Sequence, residues 1–264
     1  MTRTGEARLT LANRGSRTIA AEQYCRGALK VMHPSVGAGP ATPRWTLVNP
    51  GGGFVDGDRY SVKIEVAEDA VAVVDAQSAT KIYRCQRDHA QQNIAVTLGS
   101  HATLSLRPHP LIAYRDARYV QDMVVTMDPT ATFVSRELVT AGWSPDGARF
   151  SYGALRLRQQ VRFADGRLAL VDNLVLEPDA LDPCSPTVLA GHTHLGTLTV
   201  VAHGLPDVAR IREVCAESRG AMGPETNCRC GVGGIPGTSV LVRCLGGSTQ
   251  QVEHLLDTVE TLLS

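Results

Sequence analysis

From residue 45 to residue 202 the sequence keeps a period of two, and no stretch of helical period interrupts it. Tyr60, Val62, Ile64 and Val66 alternate with Ser61, Lys63 and Glu65. A strand sends successive side chains to opposite faces, so this pattern is a half-buried strand. Ala102, Leu104 and Leu106 alternate in the same way with Thr103, Ser105 and Arg107, as do Leu155, Leu157, Val161 and Phe163 with Arg156, Arg158, Gln160 and Arg162. β-Branched runs at Val71–Val74, Ile94–Leu98, Val120–Met127, Thr132–Val139, Leu168–Leu176, Leu198–Val201 and Val240–Leu245 predict further strands. Asp165-Gly166, between Phe163 and Leu168, supplies the positive φ angles of a tight hairpin. Strands joined by short polar or glycine-containing breaks argue against a βαβ sheet. They leave antiparallel sheets or a coiled β solenoid, two folds that share one period.

Helical period returns only near the end. Val252, Leu255, Leu256, Val259, Leu262 and Leu263 fall on one face, with Ser248 and Gln251 as a capping box. Gln251, Glu253, Asp257 and Glu260 are expected on the solvated side. The stripe is expected to dock on the protein's own sheet, leaving Leu262 and Leu263 at its outer end for a partner. A second helix is read from Asp207 to Glu217, on Val208, Ile211 and Cys215, and the Gly- and Pro-rich stretch from Arg219 to Gly237 reads as a loop. The chain is thus expected to be one mainly β domain over 1–264. Residues 1–44 form N-terminal strands and a loop, 45–202 the β body and 203–264 an α/β segment.

Lys and Arg together number 26, as do Asp and Glu, so no net field draws nucleic acid or an anionic membrane. Residues 1–35 carry Arg3, Arg8, Arg14, Arg17, Glu22, Arg26 and Lys30, which leaves no signal-like apolar region. No stretch approaches the roughly 18 to 20 apolar residues of a spanning helix. A cytoplasmic location is expected. The 7 cysteines, odd in number and irregularly spaced, read as reduced thiols.

Signatures of catalysis are missing: no G-x-S-x-G elbow, no H-E-x-x-H, no phosphate-binding loop. Gly51-Gly52-Gly53 leads into a strand, so no helix N-terminus is offered to an anion. His192 with His194, and Cys228 with Cys230, carry donors suited to a transition metal, without the four-ligand spacing of structural zinc. On those pairs rest two alternative readings, a metal-dependent hydrolase and a thiol-based metal store. Pro50 and the three glycines read as a sharp reversal. Asp58 after it either turns inward as a carboxylate or caps the turn.

Two blocks carry a resemblance. Asn49-Pro50-Gly51-Gly52-Gly53, with Gly57-Asp58, is followed by a strand and then by Thr80-Lys81-Ile82-Tyr83-Arg84. This pairing resembles the hallmark of the UreD/UreH family of urease accessory proteins, and Leu104 to Pro110, Gly237 to Leu245 and the last helix continue it. Asp56, Gln77-Ser78 and His109 depart from the family pattern. The resemblance implies a non-catalytic scaffold with a coiled, mostly β fold and no stably bound cofactor. It also implies UreF, UreG and apo-urease as partners, and nickel in transit to urease. A conduit must bind its ion and release it, which isolated carboxylates do better than a closed thiolate cage. Asp58, Asp75 and Glu177 are therefore the expected transient nickel stations.

Overall fold

The structure, a computed structural model, describes residues 3–15, 17–32, 42–221 and 228–263, with only the backbone for 219–221 and 263. Strands β1 (Gly5–Arg14), β2 (Arg17–Gly27), β5 (Arg59–Val66), β8 (Ala90–Leu98), β11 (Arg118–Met127), β13 (Ala154–Phe163) and β14 (Leu168–Leu176) form one sheet in the order β14-β13-β11-β8-β5-β1-β2. The second sheet has β3 (Lys30–Met32), β4 (Arg44–Val48), β6 (Val71–Ala76), β9 (Thr103–Arg107), β12 (Thr132–Thr140), β15 (His194–Val201), β16 (Arg229–Ile235) and β17 (Ser239–Gly246), in the order β16-β17-β15-β12-β9-β6-β4-β3. The short strands β7 (Thr80–Ile82) and β10 (Leu111–Ala113) attach to it through β12.

Parallel pairing of β5 with β8, β8 with β11 and β11 with β13, matched by β6 with β9 and β9 with β12, makes the body a solenoid of about four turns. Each coil crosses between the sheets by the same turn. Gly99 N donates to Val66 O (2.8 Å) and Asp128 N to Leu98 O (3.0 Å), and Ala70, Ala102 and Ala131 close successive turns fully buried. The repeat is therefore one of backbone, with small side chains at the corners and no repeating sequence. β13 and β14 meet antiparallel in a tight hairpin across Asp165-Gly166, as expected.

The inward phase of each strand builds the interior. Val62, Ile64, Val96, Val125, Met127, Leu155 and Val161 from the first sheet meet Trp45, Val74, Leu104 and Phe133 from the second. A second core lies outside the larger sheet, under α1 (Val208–Ala221) and α2 (Thr249–Leu263). Val252, Leu255, Leu256 and Val259 of α2 are buried against Leu198, Val200, Val240 and Val242, so the apolar stripe does dock on its own sheet. Gly196 of β15 allows the approach, because a Cβ there would stand 2.2 Å from Val252 Cγ1.

Two expectations for this region are corrected. Glu260 faces the sheet, 6% exposed, where Arg107 and Arg136 converge on its carboxylate. The helical phase placed it on the polar side, but the two cations standing on β9 and β12 hold it inward. Within the stretch 219–237, expected to be a loop, α1 continues to Ala221 and β16 forms by pairing with β17, which supplies the partner backbone its glycines need. Residues 222–227 of that stretch lie outside the described residues.

Candidate functional site

The two hallmark blocks, far apart in sequence, close on one another. The chain leaves β4 through a turn in which Gly52 N donates to Asn49 O (3.0 Å) and Gly51 N to Asn49 Oδ1 (3.0 Å). Phe54 N then donates to Lys81 O and Tyr83 N to Phe54 O, both at 2.8 Å, which sews the turn to β7. The fit is close: a Cβ on Gly53 would lie 2.6 Å from both Lys81 O and Tyr83 Cε2. Tyr83 also donates to Gly52 O (3.3 Å). Asp58, left open between two roles, caps this turn: Oδ2 accepts from Val55 N (2.8 Å) and Oδ1 from the Thr4 hydroxyl (2.9 Å). Asp56 accepts from Gln86, Arg87 and Asp88 N–H groups, and these bonds, Asp88's foremost, hold its carboxyl below the usual range.

Behind the turn, between the sheets, lies a recess of about 130 Å³. Asn49, Gly52, Gly53, Ser78 and Thr80 stand at its wall beside Asp75, and its far side carries Gln92, Gln121 and Glu137. Asp75 Oδ2 pairs with Arg44 Nη1 at 2.8 Å. Deeper in, Tyr119 donates to Gln92 Oε1 (2.8 Å) and Gln121 Oε1 (3.1 Å), and Gln121 Nε2 donates to Glu137 Oε1. Glu137 is half-buried and lines the recess. Burial therefore pushes its carboxyl up to about 7; Gln121's hydrogen bond opposes this, Asp172's charge adds to it and Arg243's subtracts.

The polar row continues across the larger sheet. Glu137 is in register with Thr197, and Thr197 with Arg243, whose Nη2 pairs with Asp172 Oδ1 at 2.5 Å. Gln159 lies beside the row, donating to Ser135 Oγ (2.6 Å) and accepting from Thr199 (2.9 Å). Arg243 also lines a second recess of about 490 Å³ between β14, residues 187–189 and the β16–β17 edge. A strip of carboxylates, carboxamides and hydroxyls, with the Arg243 guanidinium at its far end, thus runs from the first recess to the second through a largely apolar interior. Such oxygens suit a hard or borderline divalent cation held loosely. Sequence reasoning missed Glu137, Gln92 and Gln121. Their signal was available: each is a polar residue in the inward phase of its strand, among Ala90, Ile94 and Val96, among Tyr119, Met123 and Val125, or between Phe133 and Val139.

The other residues singled out lie elsewhere. Glu177 is at the surface beyond β14, paired with Arg156. Arg84 forms an exposed pair with Asp116. His192 lies in the turn before β15, buried, with Nδ1 2.8 Å from Leu189 O. His194 begins β15 and contacts the Thr193 hydroxyl at 2.8 Å; burial lowers its pKa. Cys228 and Cys230 enter the second core. Among the described residues no group of three or more His, Cys, Asp or Glu side chains is arranged to hold a metal. Leu262 packs partly against the second core, and the side chain of Leu263 lies outside the described residues. No described helix is long and apolar enough to cross a membrane.

Comparison with known proteins agrees with the motif geometry. The sequence model of the family described as UreD urease accessory protein matches residues 3–264. A urease accessory protein UreD of Actinomyces naeslundii is 40% identical over 265 residues, covering 100% of this chain and 94% of its own. One from Arthrobacter sp. (strain FB24) is 39% identical, covering 98% and 89%. Another, from Lachnoclostridium phytofermentans, is 31% identical, covering 98% and 93%.

Proposed function

This chain belongs to the UreD family of urease accessory proteins, and from that premise we propose that it is a non-catalytic scaffold acting with UreF and UreG on apo-urease, through which nickel passes to the urease active site. The observation that carries this reading is the polar strip from Asp75 through Gln121 and Glu137 to Arg243 and Asp172. An interior stabilised only by apolar packing has no use for a row of buried amides and acids, each of which costs free energy when its partners are imperfect. A cation moving between weak oxygen ligands does use one. Glu137 is the natural control point. Near neutral pH it exchanges between a neutral acid that repels no neighbour and a carboxylate that binds a cation.

The test is co-expression with UreF, UreG and apo-urease, followed by pull-down, nickel content of the isolated urease, and urease activity. Asp75→Asn and Glu137→Gln are expected to retain the partners while lowering nickel content and activity together. Urease loaded with normal nickel in both variants would remove the strip from the nickel route. Loss of the partners with the parent chain itself would remove the scaffold reading.

A further inference from the structure

The second core holds a group of thiols that the scaffold role does not use. Cys230 on β16 and Cys244 on β17 are register partners across an antiparallel pair. Opposed Cα atoms in such a pair lie about 4.5 to 5.5 Å apart, inside the range of about 4.4 to 6.8 Å that a disulfide spans. Their sulfurs are 2.8 Å apart with no bond between them. Cys230 is partly exposed and Cys244 fully buried. Cys215 reaches the Cys230 sulfur from α1.

We propose that Cys230 and Cys244 are a disulfide-forming pair whose oxidant is a low-molecular-weight disulfide, and that the bond pins edge strand β16 to β17 beside the second recess. The chemistry is two successive exchanges. The Cys230 thiolate, the accessible one, attacks one sulfur of the small disulfide and expels the other as a thiolate. The Cys244 thiolate then attacks the Cys230 sulfur of the mixed disulfide and expels the second small thiolate. The protein loses two electrons and two protons, and the small disulfide becomes two thiols. Excess small thiol reverses both steps. Cys215's hydrogen bond lowers the Cys230 pKa, but Cys244's bond and burial outweigh it and push the thiol up to about 12. Cys230 therefore reacts at neutral pH through a small thiolate fraction, and exchange is slow until the oxidant accumulates.

The test uses the purified full chain, reduced, incubated with oxidised glutathione, alkylated and mapped by mass spectrometry. Trypsin cuts after Arg229 and Arg243, so the two cysteines fall on separate peptides, 230–243 and 244–264. The expected result is loss of two alkylatable thiols, a mass lower by about 2 Da, and a cross-linked pair of those two peptides. Cys215→Ser is expected to leave the cross-link yield within about twofold. Cys244→Ser is expected to stop at a glutathione adduct on Cys230. A wild-type chain that keeps that adduct, links Cys230 to Cys215, or loses no thiol overturns the proposal without reference to any variant.

Discussion

Glu137→Gln isolates a carboxyl that the fold holds well above its ordinary range. The substitution keeps the shape and an acceptor oxygen for Gln121, and removes only the titration. In the unfolded chain the carboxyl titrates near 4.5, whereas in the fold it titrates near 7. A raised carboxylate pKa means the folded state holds its proton longer. Stability from this group is therefore intact below pH 4.5, falls as pH rises between the two values, and is lost above 7. The gap of 7 − 4.5 = 2.5, at about 1.36 kcal/mol per unit, sets a ceiling of roughly 3 kcal/mol. Between pH 5 and pH 8 the change is about 2 to 3 kcal/mol, because part of the unfolded population already ionises at pH 5. The assay is urea denaturation of parent and variant at both pH values. The variant should gain about 2 to 3 kcal/mol on the parent at pH 8 relative to pH 5, other titrating groups cancelling in the difference. An equal gap at both pH values refutes the reasoning, for it means that water reaches this carboxyl and that the recess does not isolate it.

Gly53→Ala should destabilise the chain by about 2 kcal/mol, since its Cβ meets the Lys81 carbonyl and the Tyr83 ring; a denaturation midpoint equal to the parent's would contradict the close fit of turn and strand. Gly196→Val should loosen α2, because the Cβ alone stands 2.2 Å from Val252, and hydrogen exchange across Thr249–Leu263 should rise while that of β5 and β8 holds. Leu256→Asp, placing an acid at a site 1% exposed, should cost about 3 kcal/mol or more and show as loss of soluble protein. Glu260→Gln should cost about 2 kcal/mol by leaving Arg107 and Arg136 facing each other, a figure discounted because Arg107 is 37% exposed; unchanged urea midpoints would show that water already screens the three groups.

Much of the fold was legible because strand alternation is a local property. The pleat repeats every two residues whatever the strand pairs with, so Tyr60–Val66 and Leu155–Phe163 declared their inward faces before any partner was known. The terminal helix was legible for the same reason, its stripe obeying a period of 3.6. Glu260 was misread because a helix presents a graded surface, and a boundary residue is turned inward or outward by what stands opposite. In this chain two arginines stand opposite. β16 was hidden because Gly231, Gly233 and Gly234 have no strand preference of their own, and only the ready edge of β17 recruits them.

The sequence by itself determined the phase of each strand, the last helix and, through Asn49–Gly53 with Thr80–Arg84, the family. Tertiary structure alone decided that the strands run parallel, since parallel and antiparallel sheets share one period and differ only in distant partners. It alone decided, too, that three strands bring Gln92, Gln121 and Glu137 to one recess. Each of these residues, read along the chain, is a single polar break in an apolar face. They become a site because coiling stacks β8 and β11 in register, which makes Gln92 and Gln121 neighbouring rungs, and sets Glu137 on β12 of the facing sheet against them.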